Sequence, residues 1–259
     1  PAMTAASFAE QVDSNEGSKA VDNKLAKLLI DVCRSQSVAV FGNVSIAVLL
    51  AAGIAWGYAY THGQPLLNEA VTAYQLKSIE IFTQPTLWYA AIAGVWLFCS
   101  GIIAGFFDNR SDYLNLRQRL PFNPFLRKIM RPQPRRRLAA YIHKHYGSLM
   151  GNFIFGMLLG MTGYFGHLFG LPLDIRHVAF SSANLGYAAI SGHTDIFTFM
   201  LGLASVLAIG MVNLVVSFSL ALAVALRSRG TRLGSIRNLL KSFWNQVKEI
   251  GRASCRERV

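Results

Sequence analysis

Four stretches of this chain are apolar without interruption and long enough to cross a bilayer core, which takes about 20 residues of helix. Val38–Tyr60 carries no charge, and Leu87–Phe107 lies in an uncharged run from Ile81 to Phe107. Leu149–Leu171 lies in a run from His145 to Leu173 without Asp, Glu, Lys or Arg, and Phe197–Leu226 is uncharged for 30 residues. A buried helix of a soluble protein would show a polar face at helical spacing, and these runs show none. Aromatic residues mark span ends, as at Trp56, Tyr58 and Tyr60 and at Trp88 and Tyr89, as an interfacial belt does. The remaining periodic segments are shorter. Val21, Leu25, Leu28, Leu29 and Val32 predict an amphipathic helix over Asp22–Cys33 that leads into the first span. Ile175–Ile190 is apolar but too short to cross, and a full crossing would invert the fourth span, so it reads as a re-entrant or interfacial helix. The expected fold is all-α, a polytopic membrane protein with four transmembrane helices.

Composition agrees. The chain has 259 residues, 53% hydrophobic and 15% charged, with mean hydropathy +0.35; soluble domains run at about 45–50% and 25%. Three cysteines are too few for a disulfide scaffold. The net charge of +12 admits nucleic acid or lipid headgroups as partners, so its placement matters. Four Lys and Arg precede the first span and one lies between the first and second. Ten lie between the second and third, one between the third and fourth, and six follow up to Lys248. The odd-numbered segments thus hold 20 and the even-numbered ones 2. Cytoplasmic flanks carry such an excess, which places both termini inside a bacterial cytoplasmic (inner) membrane.

The expected organisation is a lead-in at 1–37, a transmembrane domain at 38–226 with a basic cytoplasmic loop at 108–148, and a basic tail at 227–249. In the loop, DNRSDYLNLRQRL continues the second span as helix, with Asp108, Arg110, Asp112 and Arg117 close enough to cluster. Pro121, Pro124, Pro132 and Pro134 then break the chain, and Leu138–Tyr146 resumes as helix into the third span. Arg127, Lys128, Arg131, Arg135, Arg136 and Arg137 are candidates for headgroup or nucleic-acid contact, and anionic lipid already accounts for them.

The third span is rich in glycine, with Gly147/Gly151, Gly156/Gly160 and Gly166/Gly170 each four apart. Small residues at that spacing admit a second helix at close range, either from this chain or from a second copy. Gly151, Gly156, Gly160, Gly166 and Gly170 are therefore candidate packing positions, with Gly156 and Gly160 expected to face another helix closely. Scattered glycines without a partner are the alternative. Asn152, and Asn213 in the fourth span, are polar groups in a dry medium and should bond between helices. His143 and His145 diverge on a helix, so they read as solvated surface rather than as a metal pair. Asp174, His177, Ser181 and Ser182 invite comparison with a hydrolase triad, but no nucleophile elbow is present. No metal or cofactor is expected.

Glu249–Val259, EIGRASCRERV, matches one reading frame of a common sequencing-library adapter, so the last ten residues are expected to be read-through. Excluding Arg252, Arg256, Arg258 and Glu257 takes the charge from +12 to +10. The chain is then expected to be a fragment of a longer protein. PAMTAASFAE, GFFDNRSDYLNLRQRLPFNPFLRK and HYGSLMGNFIFGMLLGMTGYFGHLFGLPLDIRHVAFSSANLGYA resemble a family of proteobacterial polytopic proteins called site-specific recombinases. The resemblance covers most of 1–226 and implies an inner-membrane location and a role in DNA recombination. It supplies no catalytic residue at a position of this chain. A recombinase needs a Ser or Tyr nucleophile among cations that cradle the scissile phosphate, and no such set is visible. The expected role is therefore a membrane module that anchors or assembles a larger machine, with DNA an unlikely partner of this fragment. A transporter or channel-like unit and recombination itself are the alternatives.

Overall fold

The computed structural model describes residues 18–228, 241–246 and 248, with side chains from residue 26 onward. Expectations about the first 17 residues, most of the basic tail and the adapter match lie outside it. The helices are α1 (Ser18–His62), α2 (Glu69–Ile79), α3 (Thr86–Tyr113), α4 (Leu116–Arg119), α5 (Pro124–Ile129), α6 (Pro132–Phe169), α7 (Val178–Ile190) and α8 (Ile196–Ser228), with a 3-10 turn at Leu120–Phe122. No strand occurs among the described residues.

Each of the four apolar stretches lies in one helix long and apolar enough to span a membrane, α1, α3, α6 and α8, except that α6 ends at Phe169, two residues before the expected Leu171. The protein is an all-α polytopic membrane protein. The amphipathic lead-in and the first span form one helix, because nothing in residues 18–41 breaks helix. The third span begins earlier than expected. Pro132 stands at the first helical position of α6, where a missing N–H is harmless, so the proline starts the helix instead of interrupting the chain. Helix α2 has no counterpart in the sequence reading. Its signal is local: the Asn68 side chain accepts from the Val71 N–H at 2.9 Å, with Glu69 in the first turn, a standard N-cap.

The chain divides into two compact units, 1–94 with 176–259 and 95–175. In the first unit, α1, α2, α7 and α8 pack with residues 86–94 of α3 around Val44, Ile79, Ala90, Val178, Leu185, Val206 and Ile209. Three glycines bring these helices close. A Cβ at Gly210 would lie 3.0 Å from Val178 and 3.1 Å from Val40, one at Gly202 would lie 2.6 Å from Leu185, and one at Gly186 would lie 2.8 Å from Ala51. These pairings run Val178 to Gly210 and Leu185 to Gly202, so α7 lies antiparallel along the first half of α8. It lies alongside α8 rather than across its end. In the second unit, residues 95–113 of α3 pair with α6, and the short α4 to α5 segment folds onto α6.

Candidate functional site

The most connected polar side chain of the first unit is Asn213, which is 2% exposed. Its Oδ1 accepts from the Val178 N–H at 3.0 Å, the first N–H of α7. Its Nδ2 donates to Ala90 O of α3 at 2.7 Å and to Arg176 O at 3.1 Å. Both amide hydrogens and one acceptor site are thereby engaged. Gly94 admits this approach, since a Cβ there would lie 2.8 Å from Val216.

Depth follows from the sequence. Asp195 and Arg227 bound an uncharged run of 31 residues, and any window of about 20 residues inside it contains positions 207–215. Asn213 therefore lies in the middle part of the apolar run of α8. Arg176, at the start of the short apolar segment, has its backbone carbonyl held by Asn213. The Arg176 N–H donates to Tyr89 O at 3.4 Å, its Nε donates to Ser78 O at 2.6 Å, and its guanidinium carbon sits 5.7 Å from the Tyr89 ring centroid. His177 caps α7, its Nδ1 accepting from the Ala179 N–H at 3.4 Å, and the Ser182 hydroxyl donates to Val178 O at 2.6 Å. Those two side chains serve the local helix and form no nucleophile–base pair with each other.

The second unit is held by α3 and α6. A Cβ at Gly147 would collide with Ala104 O and the Asp108 carboxylate, and one at Gly151 would lie 2.9 Å from Ala104 Cβ. The Gly147 N–H donates to Asp108 Oδ1 at 2.8 Å. One turn further out, Ser111, 1% exposed, lies 3.0 Å from His143 Nδ1 and donates to His143 O at 3.3 Å. His143 Nε2 is 3.6 Å from Asp112. Deeper in, Trp96 Nε1 donates to Thr162 Oγ1 at 2.9 Å, and that hydroxyl donates to Leu158 O at 2.6 Å.

Several expectations change here. His143 is a half-buried tie between helices rather than solvated surface, because Ser111 projects at it from α3. Asp108 bonds an α6 backbone N–H, and Asp112 pairs with His143. Ser111, His143 and Asp112 resemble a triad by composition, yet the hydroxyl is buried and also bound to a carbonyl, which leaves no room for a substrate. Among the glycines, Gly151 contacts α3. Gly156 and Gly160 have nothing within 4 Å of an added Cβ and face outward, so neither meets a second helix among the described residues. Gly166 packs on the backbone of Leu173, which follows the helix, not on another helix. Gly170, at φ 62°, is the left-handed C-cap that ends α6. Asn152 is exposed.

The cationic candidates lie along α5 and the start of α6. Arg127, Lys128, Arg131, Arg136 and Arg137 are exposed and Arg135 is half-buried. From Tyr113 to Ser148 the chain holds nine Lys and Arg and no Asp or Glu. Arg136 precedes Tyr146 by ten residues on one continuous helix, about 15 Å at 1.5 Å per residue. Metal-ligating clusters of three or more His, Cys, Asp or Glu are absent among the described residues.

The profile of the site-specific recombinases matches residues 1–253. The chain belongs to the site-specific recombinase family. No curated protein and no solved structure matches it. The family membership and the four apolar helices together fit a membrane-embedded member of the recombinase family.

Proposed function

We propose that this chain is a non-enzymatic membrane module, which anchors or assembles a larger machine in a bacterial cytoplasmic membrane with both ends on the cytoplasmic side. One observation supports the proposal: within each unit, polar side chains set in the apolar helices are engaged in joining one helix to another. Asn213 joins α3, α7 and α8, and Asp108, Ser111 and His143 join α3 to α6. The 20-to-2 split of Lys and Arg supports the orientation. Reporter fusions test it. Fusions in 61–84 and at 191–195 should read periplasm and fusions in 114–131 cytoplasm, and a periplasmic signal from 114–131 ends the proposal. Catalysis is tested with labelled duplex DNA and the purified chain. Expected are no covalent adduct and only sequence-blind binding that falls steeply with salt, as counterion release requires. An adduct, or sequence-preferring binding at physiological salt, restores recombination by this chain.

A second reading, a transport unit, is favoured by one observation: the Arg176 carbonyl is held by Asn213 inside the apolar run of α8, while its Nε donates to Ser78 O of α2. Ionisable groups set among membrane helices commonly mark substrate paths. Uptake or efflux that is lost in Arg176→Gln, while the helices stay folded, would select this reading.

A further inference from the structure

Within the first unit, the end of α2 and the start of α8 leave a cavity of about 310 Å³ between them. That is the lower end of the range for ligand pockets, about 300–1,000 Å³. Leu76 and Ile79 of α2 and Leu201 and Gly202 of α8 make its apolar walls, and Leu201, 40% exposed, marks its open side. Ser205 also lines the cavity and is 2% exposed. Its hydroxyl bonds no group among the described residues. Other serines of the apolar helices spend the hydroxyl on a carbonyl three or four residues back, as Ser100 does on Leu97 O at 2.9 Å and Ser182 on Val178 O at 2.6 Å. Ser205 does not, so one donor and its acceptor sites stand open to the cavity. The cavity's second hydroxyl, that of Thr198, is already used, since it donates to Asp195 Oδ1 at 2.5 Å.

We propose that this cavity binds one uncharged aliphatic alcohol, with the ligand hydroxyl on Ser205 and its hydrocarbon along Leu76, Ile79 and Leu201. The proposal goes beyond the membrane-module reading: it needs α2 and α8 side by side and no particular orientation. Three features select the ligand. A buried hydroxyl in an apolar wall favours a molecule with one hydrogen-bonding oxygen and little other polarity. Charges of both signs reject ions: Lys77 and Glu80 line the cavity, and Asp195 is bound to Thr198. An alkylammonium meets Lys77, and an alkylcarboxylate meets Glu80 and Asp195. The walls hold no aromatic ring, so nothing there selects a flat ring over a chain. Ser205 lies ten residues past Asp195 on α8, about 15 Å along the helix, which sets the hydroxyl well away from the Asp195 carboxylate.

The test uses the full 259-residue chain in phosphatidylcholine nanodiscs. The probe is 1-octanol with a photoreactive diazirine on its chain, and peptide mass spectrometry places the adducts. Expected is saturable labelling within 76–80 and 198–205 that excess 1-octanol removes and excess octane does not. Ser205→Ala should raise the half-saturating concentration about fivefold, the effect of one neutral hydrogen bond. Ser217→Ala is the control: that hydroxyl is buried and unpartnered on the same helix but lines no part of this cavity, and the half-saturating concentration should stay as in the parent. The comparison of octanol with octane needs no variant, so it decides the matter even where Ser205→Ala folds poorly. Equal competition by octane overturns the proposal, as does labelling that never saturates or that spreads evenly over the apolar helices. An unchanged half-saturating concentration in Ser205→Ala overturns it too. Removal of the label by leucine also overturns it, because Lys77 and Glu80 would then be holding a zwitterion.

Discussion

The two units hold their helices together in opposite ways. In the first, a single buried amide reaches three pieces of backbone, and Gly186, Gly202 and Gly210 lie close against neighbouring helices. In the second, the ties are spread along one helix pair, from Trp96–Thr162 through Gly151 and Gly147 to Ser111–His143, and most lie toward the polar end of α6. The outward glycines of α6 touch nothing. A helix pair needs little more than shape to associate in lipid, since hydrocarbon is as apolar as the helices themselves. A short helix set beside longer ones needs more. Its end brings unpaired backbone N–H and C=O groups among apolar helices, and these must find partners inside the protein. Asn213 is the partner for one such N–H, that of Val178.

Breaking that contrast should be easiest at Asn213. Asn213→Leu strands the Val178 N–H and the Arg176 carbonyl in a dry site, where each unmade bond costs about 1–3 kcal/mol. We expect a loss of about 2–4 kcal/mol, measured by thermal unfolding in detergent, with amide hydrogen exchange rising in α7 and not in α6. Uniform exchange across both units would deny Asn213 its local role. The second comparison lies within α6 and concerns sign. Gly147→Ala places a methyl against Ala104 O and Asp108, an overpacking of about 1–3 kcal/mol. Gly156→Ala and Gly160→Ala meet open space, so each should stabilise by up to about 1 kcal/mol through helix propensity. A destabilising Gly160→Ala would reveal a second helix there from another copy.

Smaller effects sharpen the picture. His143→Ala should cost about 1 kcal/mol through the Ser111 bond. Asp112→Asn should be almost silent, because Asp112 is 76% exposed and exposed pairs contribute little. The smallest effect is a pH dependence at the start of α8. The Thr198 hydroxyl, aided by the Phe197 and Thr198 N–H groups, holds the Asp195 carboxyl below its usual range. A carboxyl depressed in the folded state stabilises above its unfolded value, near 3.8, and that contribution is lost as pH falls through the folded value. Melting curves of Asp195→Asn and the parent should therefore converge as pH drops below about 4. Parallel curves would remove the cap from the account.

The spans were legible because a bilayer asks for little beyond length and hydrophobicity, and α1, α3, α6 and α8 satisfy both in their residues alone. What stayed hidden depends on neighbours. Gly147, Gly156 and Gly166 look alike in sequence, yet one meets a helix, one meets open space and one meets its own returning chain. Which face of α6 turns toward α3 is set by Asp108 and Ser111, 30 or more residues away. Asn213 was legible as a polar residue needing a partner, but its partners were not, since they are backbone groups that carry no sequence signal. The partners of Arg176 were not legible either, since they include the Ser78 carbonyl and the Tyr89 ring on two other helices. Helix α2 was passed over because it is short and half polar, and its Asn68 cap was the available clue.

Helix α6 runs unbroken for 38 residues from Pro132 to Phe169, about 57 Å at helical rise. Its first three turns and its apolar span are thus one stiff rod, with no proline or hinge where the rod leaves the membrane. Force applied to the basic outer end is delivered as torque on the embedded length, and a tilt of a few degrees there sweeps Arg136 sideways and swings Gly170 the opposite way. Whatever takes hold of the projecting end works a lever whose other arm lies across the bilayer.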